Sequence, residues 1–342
     1  MAENKFRGFL RDYSWESLIL TFNVIAVVVA TLLSPLYLNA FQILYSLQQS
    51  MGIASILAIG FMMIILVGEI DLSLPALVAV GTVSFARLSV MGLPLGLSIL
   101  IVLAFTTLAG LLNGYLIVSF SLPSMAVTLG MMGVYRALAL WIGGYEGFGV
   151  DAFKPSYIYV GDTLWAGFLP VSFVLLVFLF VLAWLLVHKT VYGRLLYATG
   201  NNRRATHLTG HSIKSIITST YGIGGLMAGV GALVYIGQYQ SARADNVASI
   251  LLFVVACIAL GGFSLAGGKG RVIGLILSIL LLGTIQNGMG LANIQGPVQT
   301  LVIGLILIAS IVVPAAIGAI GAIGGAASRA KNIAERVSAS SK

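Results

Sequence analysis

Ten apolar runs follow one another along this chain, near residues 18–40, 50–68, 72–90, 95–120, 124–143, 164–187, 213–237, 247–267, 272–291 and 297–320. Each meets the roughly 17–25 residues that an α-helix needs to cross the hydrocarbon core of a bilayer. Strands of a membrane barrel would alternate in short segments, whereas these runs are continuous. Helices also satisfy their own backbone groups in lipid. Only 8% of the residues are charged and the mean hydropathy is +1.06, so a soluble globule is excluded. The expectation is an all-α polytopic membrane protein of about ten transmembrane helices. A leader (1–17) precedes one transmembrane domain (18–325), and a tail (326–342) follows it. The leader mixes charges (Glu3, Lys5, Arg7, Arg11, Asp12, Glu16) and reads as the flank of an uncleaved first helix. Cys257, the single cysteine, lies in an apolar run and reads as packing.

Lys and Arg set the orientation, because they accumulate in cytoplasmic loops. With ten spans and an internal N-terminus, residues 188–212, 268–271 and the tail fall on the cytoplasmic side, and they carry most of the basic residues. Both termini are then cytoplasmic. The opposite face receives 144–163, with Glu146, Asp151 and Asp162 against Lys154, and 238–246, with Arg243 and Asp245. The net charge of +8 therefore reflects topology, and no nucleic-acid partner is expected. Glycines spaced four apart (Gly110/Gly114, Gly225/Gly229, Gly321/Gly325) point to close helix packing, since lipid supplies no hydrophobic drive between helices. The cluster GIGG at 222–225 could instead mark a broken helix of the kind found in transporters.

The residues offer little for catalysis. His188, His207 and His211 lie in or beside one loop without a third metal ligand or a nucleophile. The stretch GGFSLAGGKGR (261–271) resembles a phosphate-binding loop, but Phe263 stands where the first glycine belongs and Gly270 where a hydroxyl must hold magnesium. No cofactor or metal is expected, and ATP hydrolysis by that route is excluded.

Charges within the apolar runs carry more information. Glu69 and Asp71 in GEIDLSLP and Arg136 in MGVYRALAL would each cost about 2.5–3.5 kcal/mol facing lipid at a helix centre. They must face protein or water. They either border a polar pathway or, in the plainer reading, Arg136 pairs with a carboxylate or some of these residues snorkel to the interface. Gln286 and Asn287 within the ninth run either join helices by hydrogen bonds or line a cavity.

Four ordered blocks between about residues 40 and 315 carry a resemblance. They are GEIDLSLPALVAVG (68–81), LPSMAVTLGMMGVYRAL (122–138), YGRLLYATGNNRRATHLTGHSIKS (192–215) and IALGGFSLAGGKGRVIG (258–274). Together they resemble the membrane permease subunit of ribose-type, binding-protein-dependent ABC importers. GYEGFG (144–149) and SARADN (241–246) are similar to subgroup members that carry autoinducer-2 or deoxy sugars such as rhamnose. The chain departs from the family pattern at Glu69 (usually Gly), Ala137 (often Gly), Phe263 (commonly Thr) and Arg203 and Arg204 (frequently acidic).

The resemblance implies a coupling helix at Asn201, Asn202, Arg203, Arg204, Ala205, Thr206, His207, Leu208, Thr209 and Gly210, docked on cytoplasmic ATPase subunits. The same polarity could belong to a merely solvated, positively charged loop. Further implied partners are an extracytoplasmic sugar-binding protein at the outer loops and a second permease chain, identical or homologous, in the lipid of a bacterial inner membrane. Pathway candidates are Glu69, Asp71, Ser73, Thr128, Tyr135, Arg136, Gln286 and Asn287. Two rivals stand beside this reading. One is a proton-coupled secondary transporter using Glu69 or Asp71; the other is an integral membrane enzyme, for which no convergent acid, base or metal set is visible.

Overall fold

The computed structural model describes residues 14–312, apart from 163, 166–168 and 248. The apolar runs are helices. In chain order they are α1 (Ser14–Leu33), α2 (Ala40–Leu66), α3 (Leu74–Val90), α4 (Leu95–Phe120), α5 (Ser124–Gly143), the short α6 (Pro155–Asp162), α7 (Val171–Lys189), α8 (Val191–Asn201), α9 (Arg203–Leu208), α10 (Ile213–Tyr239), α11 (Ile250–Leu260), α12 (Val272–Leu291) and α13 (Gly296–Val312). Six of them are long and apolar enough to cross a membrane (α1, α4, α5, α7, α10 and α12), and four further apolar helices lie in α2, α3, α11 and α13. The tail and most of the leader lie outside the described residues.

Helix α10 is the axis of the bundle and packs on α2, α3 and α4. Its closest neighbour is α4, and glycine makes that approach possible. A methyl group on Gly110 would collide with the Tyr221 carbonyl, one on Gly225 with the Thr106 carbonyl, and one on Gly114 would lie 2.7 Å from the Thr218 Cα. The four-residue glycine spacing of both helices thus becomes a shared backbone contact. GIGG does not break the helix, because α10 runs unbroken from Ile213 to Tyr239. Cys257 is buried in α11, where Ser278 of α12 donates to its carbonyl at 2.6 Å.

Two spans differ from expectation. The eighth run continues to residue 267, yet α11 stops at Leu260, because Gly261 and Gly262 turn the chain, Gly262 with φ +81°. Residues 261–271 become a loop folded against other segments. The sixth span starts only at Val171, since Leu164–Trp165 (β1) pairs antiparallel with Leu169–Pro170 (β2) first.

The connections sort to two ends. At one end the 67–73 loop, α8, α9, the 261–271 loop and the start of α1 touch, as the pairs Arg203–Glu69 and Arg271–Glu16 show. At the other, Phe148 and Ala242 exchange backbone hydrogen bonds at 2.8 and 2.9 Å, joining the two loops that the charge pattern assigned to a single face. There Tyr157 donates to the Leu93 carbonyl at 2.8 Å.

Candidate functional site

The site begins with the break between α2 and α3. Gly68 takes a left-handed φ of +77° and turns the chain, so that Glu69 and Asp71 leave in different directions. Asp71 Oδ1 accepts from the Ser73 amide (2.8 Å) and hydroxyl (2.6 Å), immediately before α3 begins. Asn113 of α4 donates to Ser73 Oγ at 2.9 Å, and the Tyr135 hydroxyl of α5 donates to Asn113 Oδ1 at 2.8 Å. Asp71, Ser73 and Asn113 are wholly buried. This chain of bonds ties α3, α4 and α5 together, and Tyr221 of α10 adds a bond to the Ile70 carbonyl at 3.2 Å. A buried polar group left unpartnered costs about 1–3 kcal/mol, so such a network holds its members in one arrangement.

Glu69 turns the other way and meets α9. Arg203 Nη2 lies 2.7 Å from Glu69 Oε1 and 3.1 Å from the Val67 carbonyl; the Arg203 side chain is 48% exposed and that of Glu69 only 8%. Glu69 is thus paired, but with Arg203 and not with the Arg136 that the plainer reading offered. Arg136 pairs with neither Glu69 nor Asp71.

Local rules build the segment that carries Arg203. Thr190 caps α8 by accepting from the Gly193 amide, Asn202 caps α9 by accepting from Ala205, and Ser212 caps α10 by accepting from Ser215. Asn202 thus separates α8 from α9. On the bundle side, α8 lies against both loops. Gly200 rests so close to the Leu66 carbonyl and the Gly268 amide that any side chain there would collide with backbone. The Gly268 amide donates to Leu66 O at 2.9 Å, Asn201 Nδ2 to Gly268 O at 3.2 Å and the Tyr197 hydroxyl to Gly270 O at 2.8 Å. Burial pushes the Tyr197 phenol above its ordinary pKa, which keeps it a donor. On the outward side Arg204, Ala205, His207, Leu208, Thr209 and Gly210 are exposed, and only Thr206 turns inward, donating to the Asn202 carbonyl. Leu208 is 81% exposed, a bare apolar knob in a polar hairpin.

The remaining pathway candidates are scattered. Thr128 is buried and bonds back to the Ser124 carbonyl at 2.9 Å. Tyr135 and Arg136 are adjacent, so the helical period of 3.6 sends one inward and the other out. Tyr135 is buried and Arg136 exposed. Asp245, at the opposite end from α9, has a carboxyl held below its usual value, first by the Arg243 hydrogen bond and to a lesser extent by the field of Arg136. Gln286 lines a cavity of about 440 Å³ with Tyr235, Tyr239, Ser249 and Thr300. Asn287 is half-buried beside it. The structure thus unites Asp71, Ser73 and Tyr135 and joins Glu69 to the α9 segment; among the described residues no bond links Thr128, Arg136, Gln286 or Asn287 directly to that cluster.

Asn113 and Tyr221 were not among the expected residues. The signal for Asn113 was present, as a single amide inside the apolar run TTLAGLLNGYLIV, of the same kind that drew attention to Asn287.

Residues 42–328 match the family described as branched-chain amino acid transport system / permease component. The chain is 30% identical over 289 residues to the ribose import permease protein RbsC of Bacillus subtilis (strain 168), covering 84% of this chain and 88% of the relative. It is 28% identical over 304 residues to the autoinducer 2 import system permease protein LsrD of Escherichia coli (strain K12), covering 88% and 92%. No solved structure matches the chain. The proton-coupled reading of Glu69 and Asp71 finds no support in these relatives.

Proposed function

This chain belongs to the family of branched-chain amino acid transport system permease components, and from that premise we propose that it moves a monosaccharide or sugar-like solute, driven through α8 and α9 by ATP hydrolysis on partner subunits. The protein is a multi-pass inner-membrane permease of an ABC importer. The solute class rests on its similarity to permeases named for ribose and autoinducer 2 import.

One observation carries the mechanism. The α8–α9 hairpin is bound to the bundle on one face and bare on the other. A partner that pulls on Leu208, Arg204 and His207 must move Arg203 and Gly200 with them. Those residues grip the loops that end α2 and begin α12. Displacement thus reaches Glu69, and through the 67–73 turn the Asp71–Ser73–Asn113–Tyr135 chain that holds α5. Alternating access needs two arrangements of the bundle, each favoured by a different bound partner. In this reading the α8–α9 end faces the cytoplasm, consistent with its excess of Lys and Arg.

Helix α5 supplies the pathway wall. Its outer face bears Arg136, Gly130 and Gly133, and neither glycine has an atom within 4 Å of where a side chain would begin. An arginine so placed cannot face lipid without cost. That face therefore meets a second permease chain across a watery path. The opposite end, with Tyr145 and Trp141 exposed beside the paired 144–162 and 240–247 loops, receives a soluble solute-binding protein.

The test is reconstitution. Vesicles holding this chain, its ATPase and its binding protein should accumulate solute only with ATP inside. The variant Arg204→Glu/Leu208→Asp should insert normally yet lose ATPase association and uptake. Uptake by this polypeptide alone against a gradient, or wild-type uptake by the variant, would overturn the reading.

A further inference from the structure

Two cavities meet along the inner edge of α1, far from the α5 face. The larger, about 620 Å³, is a groove between α1, α12 and α13 whose walls are almost wholly apolar, with Phe22, Val29, Leu281, Met289 and Ile306 among them. The smaller, about 570 Å³, lies at the α8–α9 end and is of mixed character: Phe263, Leu265 and Ile311 share its wall with Lys269 and Arg271, beside Glu16 and Ser264. Trp15 and Ser310 line both, so the two adjoin. The Trp15 indole donates to the Leu260 carbonyl at 2.9 Å, which holds the ring at their junction. Arg271 pairs with Glu16 at 3.1 Å, and among the described residues no carboxylate pairs with Lys269. Lys269 thus adds to this wall a positive charge without a carboxylate partner among the described residues.

The groove has a defined direction and length. From Trp15 to Leu33 it follows α1 for about 27 Å at 1.5 Å per residue, which matches the hydrocarbon thickness of a bilayer. A water-soluble ligand has nothing to bond there, whereas an acyl chain needs only such walls. Helix α1 is attached to α12 through Asn23, which donates to the Leu277 carbonyl at 3.1 Å, and the turn that follows α1 through Tyr37, which donates to Thr284 Oγ1 at 3.0 Å, so the groove is a built feature between anchored helices. At the mouth an ammonium and a guanidinium share one wall with an indole. Basic pockets between helices on that side of a membrane bind anionic headgroups.

We propose that the paired cavities form an intramembrane site for an anionic phospholipid, its phosphate on Lys269 and Arg271 and one acyl chain in the groove between α1, α12 and α13. The charge on the mouth selects the headgroup, and the apolar walls hold whichever chain enters.

Native mass spectrometry of the purified full-length chain, titrated with phosphatidylglycerol or with phosphatidylcholine of the same acyl composition, tests both halves. Wild type should retain phosphatidylglycerol preferentially. Lys269→Gln should weaken that lipid alone by roughly fivefold, the effect of one interfacial charge, and Lys269→Arg should preserve it. Ala26→Trp, which fills the groove, should weaken both lipids alike. Equal retention of the two lipids by wild type, or an unchanged preference in Lys269→Gln, would overturn the headgroup assignment. Absence of any retained lipid in wild type would overturn the site altogether, leaving the groove to another part of this chain or to a partner protein.

Discussion

Helices α10 and α5 both carry glycine along their length, and they use it in opposite ways. On α10, Gly225 touches the backbone of α4, so closely that a methyl group has no room. On α5, Gly130 and Gly133 touch no other segment among the described residues. Small residues in lipid serve close approach, and a glycine without a neighbour serves nothing within a single chain. The difference separates the fixed centre of the molecule from a face that has no neighbour among the described residues. The largest expected effect tests the fixed side. Gly110→Leu should push α4 off α10, and because the colliding atoms are backbone, the cost should reach or exceed the upper part of the usual overpacking range of about 1–3 kcal/mol. Folded yield and melting temperature in detergent measure it. A stable, monodisperse Gly110→Leu protein would mean that the α4–α10 contact is not the centre of the bundle.

The fixed side extends to α9 through Arg203 and Glu69. Glu69→Ala leaves Arg203 half in solvent and costs little beyond the lost bond. Arg203→Ala leaves a nearly buried carboxylate beside the Val67 carbonyl, and should destabilise by about 1–3 kcal/mol. The asymmetry is the test. Equal losses in the two single variants would place the charge pair in water. The exchanged variant Glu69→Arg/Arg203→Glu should recover part of the loss, because attraction survives exchange even where the geometry does not. One step smaller, Tyr135→Phe removes the hydroxyl that binds α5 to Asn113, and a loss of about 1 kcal/mol should appear as a lower melting temperature.

Much of this was legible in the sequence. Run length and polarity set the ten apolar helices, because crossing lipid leaves a chain few other forms. The glycine spacing on α4 and α10 announced close packing, though not which helix would meet which. What stayed hidden is three-dimensional. Nothing local says that Arg203 reaches back across 134 positions to Glu69, or that Gly200 sits between Leu66 and Gly268. The end of α11 was missed because hydropathy continues past Gly261, whereas helix termination depends on backbone conformation. Arg136 was weighed as a partner for a nearby carboxylate, since charge in an apolar run demands an answer. The period of the helix gives a different one by aiming it outward.

The smallest effect on stability should come from the open wall, and it is there that the contrast between the two helices is sharpest. Gly133→Leu begins a side chain where no other segment among the described residues lies within 4 Å, so the folded protein should melt within about 0.5 kcal/mol of wild type. Arg136→Gln likewise removes a charge that no buried group depends on. If α5 faces a partner chain across the solute path, both variants should nonetheless cut ATP-driven uptake sharply while leaving the association of α8–α9 with the ATPase intact. Uptake and co-purification, measured on the same preparation, separate the two functions. Should Gly133→Leu transport at the wild-type rate, the bare face of α5 is lipid-facing surface, and the wall of the pathway must be sought elsewhere, first at the cavity that Gln286 shares with Tyr235 and Tyr239.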